Sequence, residues 1–229
     1  MTFSVAARCP KTGMLGVAIT TSSIAVASRC PWARAGVGAV ATQNITDPSL
    51  GRKGLDLLQG GLPAQEALDQ LMAAHDYAAY RQVTMIDAAG RAAIWSGEKT
   101  LGIHGAAKGT DCVAAGNLLR SADIPAVLVK AFEAASANQP DSHLADRLLT
   151  ALEAGLAAGG EMGPIHSAGL LVVDKTDWPL VDLRIDWNEE NPLPLLRKLW
   201  QAFKPQAQDY ITRALDPRSA PAYGVPGDP

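Results

Sequence analysis

Thr2 concentrates more chemistry than any other residue of this chain. Threonine in second position is small enough for the initiator methionine to be removed, which would leave Thr2 as the mature N-terminus. It would then hold a hydroxyl and a basic amine on one residue. An α-amino group has an ordinary pKa of about 8, so part of it is neutral near physiological pH and can accept the hydroxyl proton. This is the threonine and N-terminal amine form of a nucleophile–base pair. Attack on a carbonyl builds negative charge on its oxygen, and that charge needs a preorganised donor. Asn117 is the candidate, because its side-chain NH₂ donates and Gly116 before it permits close backbone approach. Asn117 reads equally well as a turn residue ending a strand. Ser22, Ser23, Gln43 and His166 are candidates for the wall of a substrate pocket. Against that, short hydroxyl residues favour caps and turns, and a histidine is commonly a satisfied structural group.

Other patterns fall short of chemistry. Gly36-Val37-Gly38-Ala39-Val40-Ala41 fits the letters of a dinucleotide fingerprint. That motif needs a strand before it and a helix after it, whereas Pro31-Trp32 precedes and Thr42-Gln43-Asn44 follows, so packing glycines in a strand are expected. Gly105 to Thr110 has lysine and glycine in the wrong order for a phosphate loop, and no G-x-S-x-G elbow exists. His75, His104, His143 and His166 are scattered and no cysteine pair accompanies them, so neither metal nor cofactor is implied. Cys30 beside Arg29 could be an activated thiol, although a buried inert cysteine is the commoner case. Arg34 would bind an anionic substrate or pair with a surface acid.

These residues have to be positioned by a fold of ordinary globular composition. The chain has 229 residues, 48% hydrophobic and 19% charged, which supports a sizeable core and argues against disorder. A formal charge of −3 offers no basic stripe for nucleic acid. No apolar run reaches the roughly 18 residues of a spanning helix, and the first residues lack the pattern of a signal peptide, so no membrane partner is expected. An odd three cysteines, Cys9, Cys30 and Cys112, suit free thiols in a reducing cytoplasm.

The start reads as a hairpin, with Phe3, Val5 and Ala7 alternating with Thr2, Ser4 and Ala6, a turn over 10–13, and a second strand over 14–20. A strand over 37–43 follows, then apolar stripes at Leu55 and Leu58 and at Leu68, Leu71 and Met72, which predict helices. Another hairpin spans 82–95, and a strand runs from 111 to Gly116-Asn117. Helices are predicted around 126–135 and over 144–156, the latter with Asp141 as N-cap and Gly159-Gly160 as its stop. Strands over 167–173 and 181–185 and a helix over 195–203 complete the body. Blocks of strands alternate with blocks of helices, and the first strands are apolar on both faces. Two antiparallel sheets stacked face to face with helices outside, an α+β four-layer αββα sandwich, explain both features. Residues 1–215 are read as one domain and 216–229 as a proline-rich tail, long enough to wrap a neighbouring subunit in a homo-oligomer.

Several segments carry a family resemblance. Thr2 to Arg8, Gly16-Val17-Ala18, the block Pro31 to Gln43, Ala115-Gly116-Asn117 and Val181 to Arg184 are similar to the bacterial domain of unknown function 1028 (DUF1028) family. The resemblance runs from Thr2 to about the Leu195 helix. It implies membership of the N-terminal-nucleophile hydrolases, the αββα sandwich, and an N-terminal nucleophile attacking an amide. Two segments depart from the family pattern. Glu161-Met162-Gly163-Pro164-Ile165-His166-Ser167-Ala168 lacks the usual arginine and has histidine in place of glutamine. Thr20 to Ile24 is richer in hydroxyls than the family's lysine-containing stretch. The expectation is a cytoplasmic hydrolase of a C–N bond in a small polar amide. The rivals are a non-catalytic binding or assembly module on the same sandwich, and a thiol hydrolase built on Cys30 or Cys112.

Overall fold

Alternation along the first strand sorts the molecule into layers. In the computed structural model, which describes residues 1–227, β1 (Thr2–Arg8) sends Phe3, Val5 and Ala7 to one core and Ala6 to another. The same period of two governs its hairpin partner β2 (Leu15–Thr21), where Ala18 faces the first core and Leu15, Val17 and Ile19 face the second. Strands buried on both faces belong inside a layered fold.

Two antiparallel sheets result. The smaller contains β3 (Pro31–Arg34), β4 (Gly38–Asn44), β5 (Arg81–Asp87) and β6 (Ala92–Ser96) in that order. The larger has the order β10-β9-β2-β1-β8-β7, built with β7 (Gly105–Gly109), β8 (Cys112–Asn117), β9 (Ser167–Val173) and β10 (Val181–Ile185). Ala6, Val17, Ile19, Ala39, Ala41, Ile86 and Val113 fill the space between the sheets. Alanines alternate there with the larger Val and Ile side chains, which fill the layer.

Helices cover the outer faces. α1 (Ser49–Gln59) and α2 (Ala64–Ala73) bury Leu50, Leu55, Leu68 and Leu71 against Val40, Val83 and Met85 of the smaller sheet. α3 (Ile124–Asn138) and α4 (Leu144–Ala157) pack Leu128, Phe132, Leu148 and Leu152 onto the larger. α5 (Pro192–Phe203) adds Leu193, Leu196 and Trp200 beside β9 and β10. The four-layer αββα sandwich is therefore the observed fold. No helix among the described residues is long and apolar enough to cross a membrane.

Five local expectations are corrected. Pro31 to Arg34 is a strand: Pro31 and Trp32 pair with Ala41 and Val40, and Pro31 sits at the start of an edge strand, where a missing N–H costs little. Gly105 to Gly109 is the other sheet's edge, too rich in small residues to show alternation. His143, not Asp141, caps α4, its Nδ1 accepting from the Ala145 N–H at 3.1 Å, while Asp141 pairs with Lys11. α5 begins at Pro192 rather than 195, because the Asn191 side chain caps it by accepting from Leu193 N–H at 2.9 Å. A further helix, α6 (Ala207–Leu215), follows; its apolar stripe of Ala207, Ile211 and Leu215 is short and only Ala207 is buried, so the sequence marks it weakly. Beyond it, Pro217 to Ser219 form a 3₁₀ turn and the Tyr223 ring lies 3.9 Å from the Arg213 guanidinium. The last two residues of the expected tail lie outside the described residues.

Candidate functional site

The inter-sheet layer is apolar through its middle and polar at one end. Thr2 stands at that end, at the head of β1, which lies between β2 and β8. Antiparallel register sets Thr21 opposite it on one side and Asn117 opposite it on the other. Thr2 and Asn117, far apart in sequence, are thus cross-strand neighbours. On the facing sheet, Gln43 and Gln82 are themselves paired across β4 and β5.

A continuous hydrogen-bond network joins these groups. Ser4 Oγ donates to Gln43 Oε1 at 2.8 Å, and Gln43 Nε2 donates to Gln82 Oε1, also at 2.8 Å. Asn117 Nδ2 reaches the same Gln82 oxygen at 3.1 Å. Gln82 Nε2 donates in turn to the Gly116 carbonyl at 3.2 Å and to Ser96 Oγ at 3.1 Å. Buried amides bonded this completely are held in one geometry. One acceptor stays free: Asn117 Oδ1 is buried without a partner. Asn117 Nδ2 carries two donors, and a single contact to Gln82 leaves the second available.

Thr2 Oγ1 donates to the Met1 carbonyl at 2.6 Å and lies 3.1 Å from Thr21 Oγ1, which also donates to that carbonyl. Two hydroxyls therefore converge on one carbonyl oxygen at the chain start. The Met1 thioether end rests against Gly163, where an added Cβ would stand 2.9 Å from its methyl. Gly163 and the buried Glu161 line an adjoining cavity of about 370 Å³, whose walls also include Arg120, Glu189 and Glu190.

Glu161 is the group that reasoning from sequence did not select. Its Oε2 accepts the Ser22 N–H at 3.1 Å, whereas Oε1 has no partner. Burial pushes its pKa up to about 8, against the opposing pull of the α-amino group and of the Ser22 N–H. The signal in the sequence was faint, an acid directly after Gly159-Gly160 and next to a stretch already singled out. Thr21 and Gln82 were also missed. The first follows from the hairpin register, and the second from a glutamine interrupting an apolar strand opposite Gln43.

The remaining candidates serve the frame around this end. Ser22 contributes its N–H to Glu161, and the exposed Ser23 accepts the Ser167 hydroxyl through its carbonyl at 2.6 Å. His166 donates from Nδ1 to the Asn188 carbonyl at 2.8 Å and stacks on Trp187, while its backbone N–H binds the Thr21 carbonyl. Its ring thus holds the 187–188 segment beside the end of β2. Arg34 pairs with Asp56 at 2.9 Å, the structural option. Burial raises the Cys30 thiol above its ordinary pKa, against a hydrogen bond from Thr46 and the charge of Arg29. The Arg29 guanidinium is tied to the Ile24 and Ala25 carbonyls, and Cys30 follows the buried, inert alternative rather than the activated one. Cys112 is pushed up to about 12, by burial first and then by Glu133 and Asp111.

Sandwich and site together define a class: an αββα protein with a threonine heading a central strand at the polar end of its inter-sheet layer. The chain belongs to the DUF1028 family, described as a family of unknown function, whose model matches residues 2–196. The crystal structure of a DUF1028 protein from Silicibacter pomeroyi is similar to it with a TM-score of 0.83 at 30% sequence identity, over 91% of this chain and 89% of that one. The ancestral β-subunit Anbu from Yersinia bercovieri gives a TM-score of 0.39 at 13% identity, over 89% of this chain and 95% of that one. No curated protein matches the chain.

Proposed function

We propose that this protein is an N-terminal-nucleophile hydrolase that cleaves a C–N amide-type bond in a small polar substrate, with Thr2 as nucleophile once Met1 is removed. The observation that carries the reading is the convergence of the Thr2 hydroxyl, the Thr21 hydroxyl and the Asn117 amide at the head of one central strand.

Removal of Met1 makes the Thr2 nitrogen a primary amine. That amine takes the hydroxyl proton, directly or through a water, as the oxygen attacks the substrate carbonyl. The free second N–H of Asn117 then stabilises the oxyanion, a contribution typically worth a factor of about 100–1,000 in rate. The protonated amine donates to the leaving nitrogen, and water hydrolyses the acyl-enzyme. Gln43 acts at one remove, holding Gln82 and through it Asn117. Ser22, Ser23 and His166 shape the wall around the end of β2, and Glu161 lies beside them, its carboxylate accepting the Ser22 N–H.

Intact mass of protein made without an N-terminal tag, before and after a threonine-directed β-lactone, tests this reading. Loss of Met1 with one adduct on Thr2, absent in Thr2→Ala, is the expected result. Retained Met1 without an adduct would instead favour the non-catalytic module.

A further inference from the structure

A cavity lies at the opposite end of β1 from Thr2. It has a volume of about 430 Å³, within the range of small-molecule sites. Pro10, Phe132, Ala137 and Pro140 give it apolar walls, and the charged groups around it are Arg8, Lys11, Asp111, Glu133 and Arg147. Most of these charges are already matched. Arg8 pairs with Asp111 at 2.9 Å, Lys11 pairs with Asp141, and the Glu133 carboxylate accepts the Thr110 N–H at 2.8 Å.

Arg147 is the exception. It is only 4% exposed, and among the described residues no carboxylate forms an ion pair with it. Nη1 makes a long 3.4 Å contact to Ser136 Oγ, and the guanidinium carbon stands 5.9 Å from the Phe132 ring centre. Nε and Nη2 have no hydrogen-bond partner. The buried Cys9 thiol lines the same cavity. Burial raises that thiol's pKa, but Thr12 and the neighbouring Arg147 guanidinium outweigh it and leave the thiol below its ordinary value. A guanidinium cannot shed its charge, and a buried charge without a counter-ion is strongly unfavourable.

We propose that this cavity is a binding site for a small monocarboxylate with an apolar body, its carboxylate paired with Arg147. The planar guanidinium matches a carboxylate in charge and in geometry. The apolar walls suit a hydrocarbon chain rather than a sugar. Asp111 and Glu133 at the rim disfavour a dianion such as a phosphate monoester. The site is separate from Thr2, so its occupancy does not depend on hydrolysis.

Octanoate and its neutral counterpart octanamide are the probes, titrated calorimetrically into the full chain. Saturable octanoate binding, at least tenfold tighter than octanamide, is the expected result. It should weaken at least tenfold in Arg147→Met. Ala137→Trp, a change at an exposed helical position on the cavity wall, should block it in a chain whose circular dichroism is unchanged. No saturable binding to the wild type would overturn the proposal, as would equal affinity in the wild type and in a folded Ala137→Trp. Absence of octanoate binding together with fast iodoacetamide alkylation of Cys9 would assign the counter-ion to the Cys9 thiolate instead.

Discussion

The groups around Thr2 differ in what they would cost to lose. Asn117 is buried, bonded to Gln82 through one donor and free through another. Asn117→Ala should lower kcat by about 100–1,000-fold on any amide substrate found, with KM changing little, because an oxyanion donor acts mainly in the transition state. A matched fall in substrate affinity would instead mark it as a wall residue. Glu161 makes a prediction that needs no substrate. Its carboxyl is raised from 4.5 to about 8 by burial, so between those values the unfolded chain has released a proton that the folded chain keeps. The unfolded state then binds fewer protons, and stability falls as pH rises through that window. Glu161→Gln cannot ionise, so it should lose less stability than the wild type between pH 5 and pH 8. Urea midpoints of the two proteins at both pH values measure the difference; equal losses would show that Glu161 is not the group responsible.

At the scale of elements, legibility followed periodicity. The hairpins, α4, β9 and β10 carry alternation, helical stripes or continuous apolar runs, and the sequence places them within a residue or two of the structure. β3 and β7 are edge strands of small residues or led by proline, where one partner replaces two and the apolar signal thins. Asn117 and Gln43 were legible as candidates because polar residues end otherwise apolar strands. Their joint tie to Gln82 was not legible, since it depends on how one sheet lies over the other. The same closeness makes Gly16 informative. A Cβ there would stand 2.5 Å from the Leu171 carbonyl oxygen and 3.1 Å from a Leu148 methyl. Gly16→Ala should therefore destabilise the fold by about 1–3 kcal/mol through overpacking between β2, β9 and α4. Chemical denaturation reads this directly, and a neutral result would mean that β9 and α4 both yield freely.

The whole molecule has several cavities, two of them separated by the length of β1, one beside the chain start and one beside Arg147. It also presents an amphipathic last helix whose Tyr210 and Leu215 are exposed. The Tyr223 ring folds back over Arg213 of that helix rather than extending away. A homo-oligomer remains our expectation, with α6 and the tail at its interface. Light scattering should give a mass above that of one chain, and removal of residues 207–229 should reduce it to one. A monomeric mass for the full chain would refute this.

The strand order also has a consequence in time. β2 is buried along its whole length, yet its outer neighbour is β9, contributed by Ser167–Val173. During synthesis the apolar hairpin of β1 and β2 must wait for that strand with one side unpaired. At about 5–20 residues per second the wait is roughly 7–30 s. An edge of that kind recruits other strands, so chains halted before Ser167 should aggregate on release while the full chain does not. For this protein the ribosome's pace, and whatever shields β2 meanwhile, belong to the conditions for folding as much as the final contacts do.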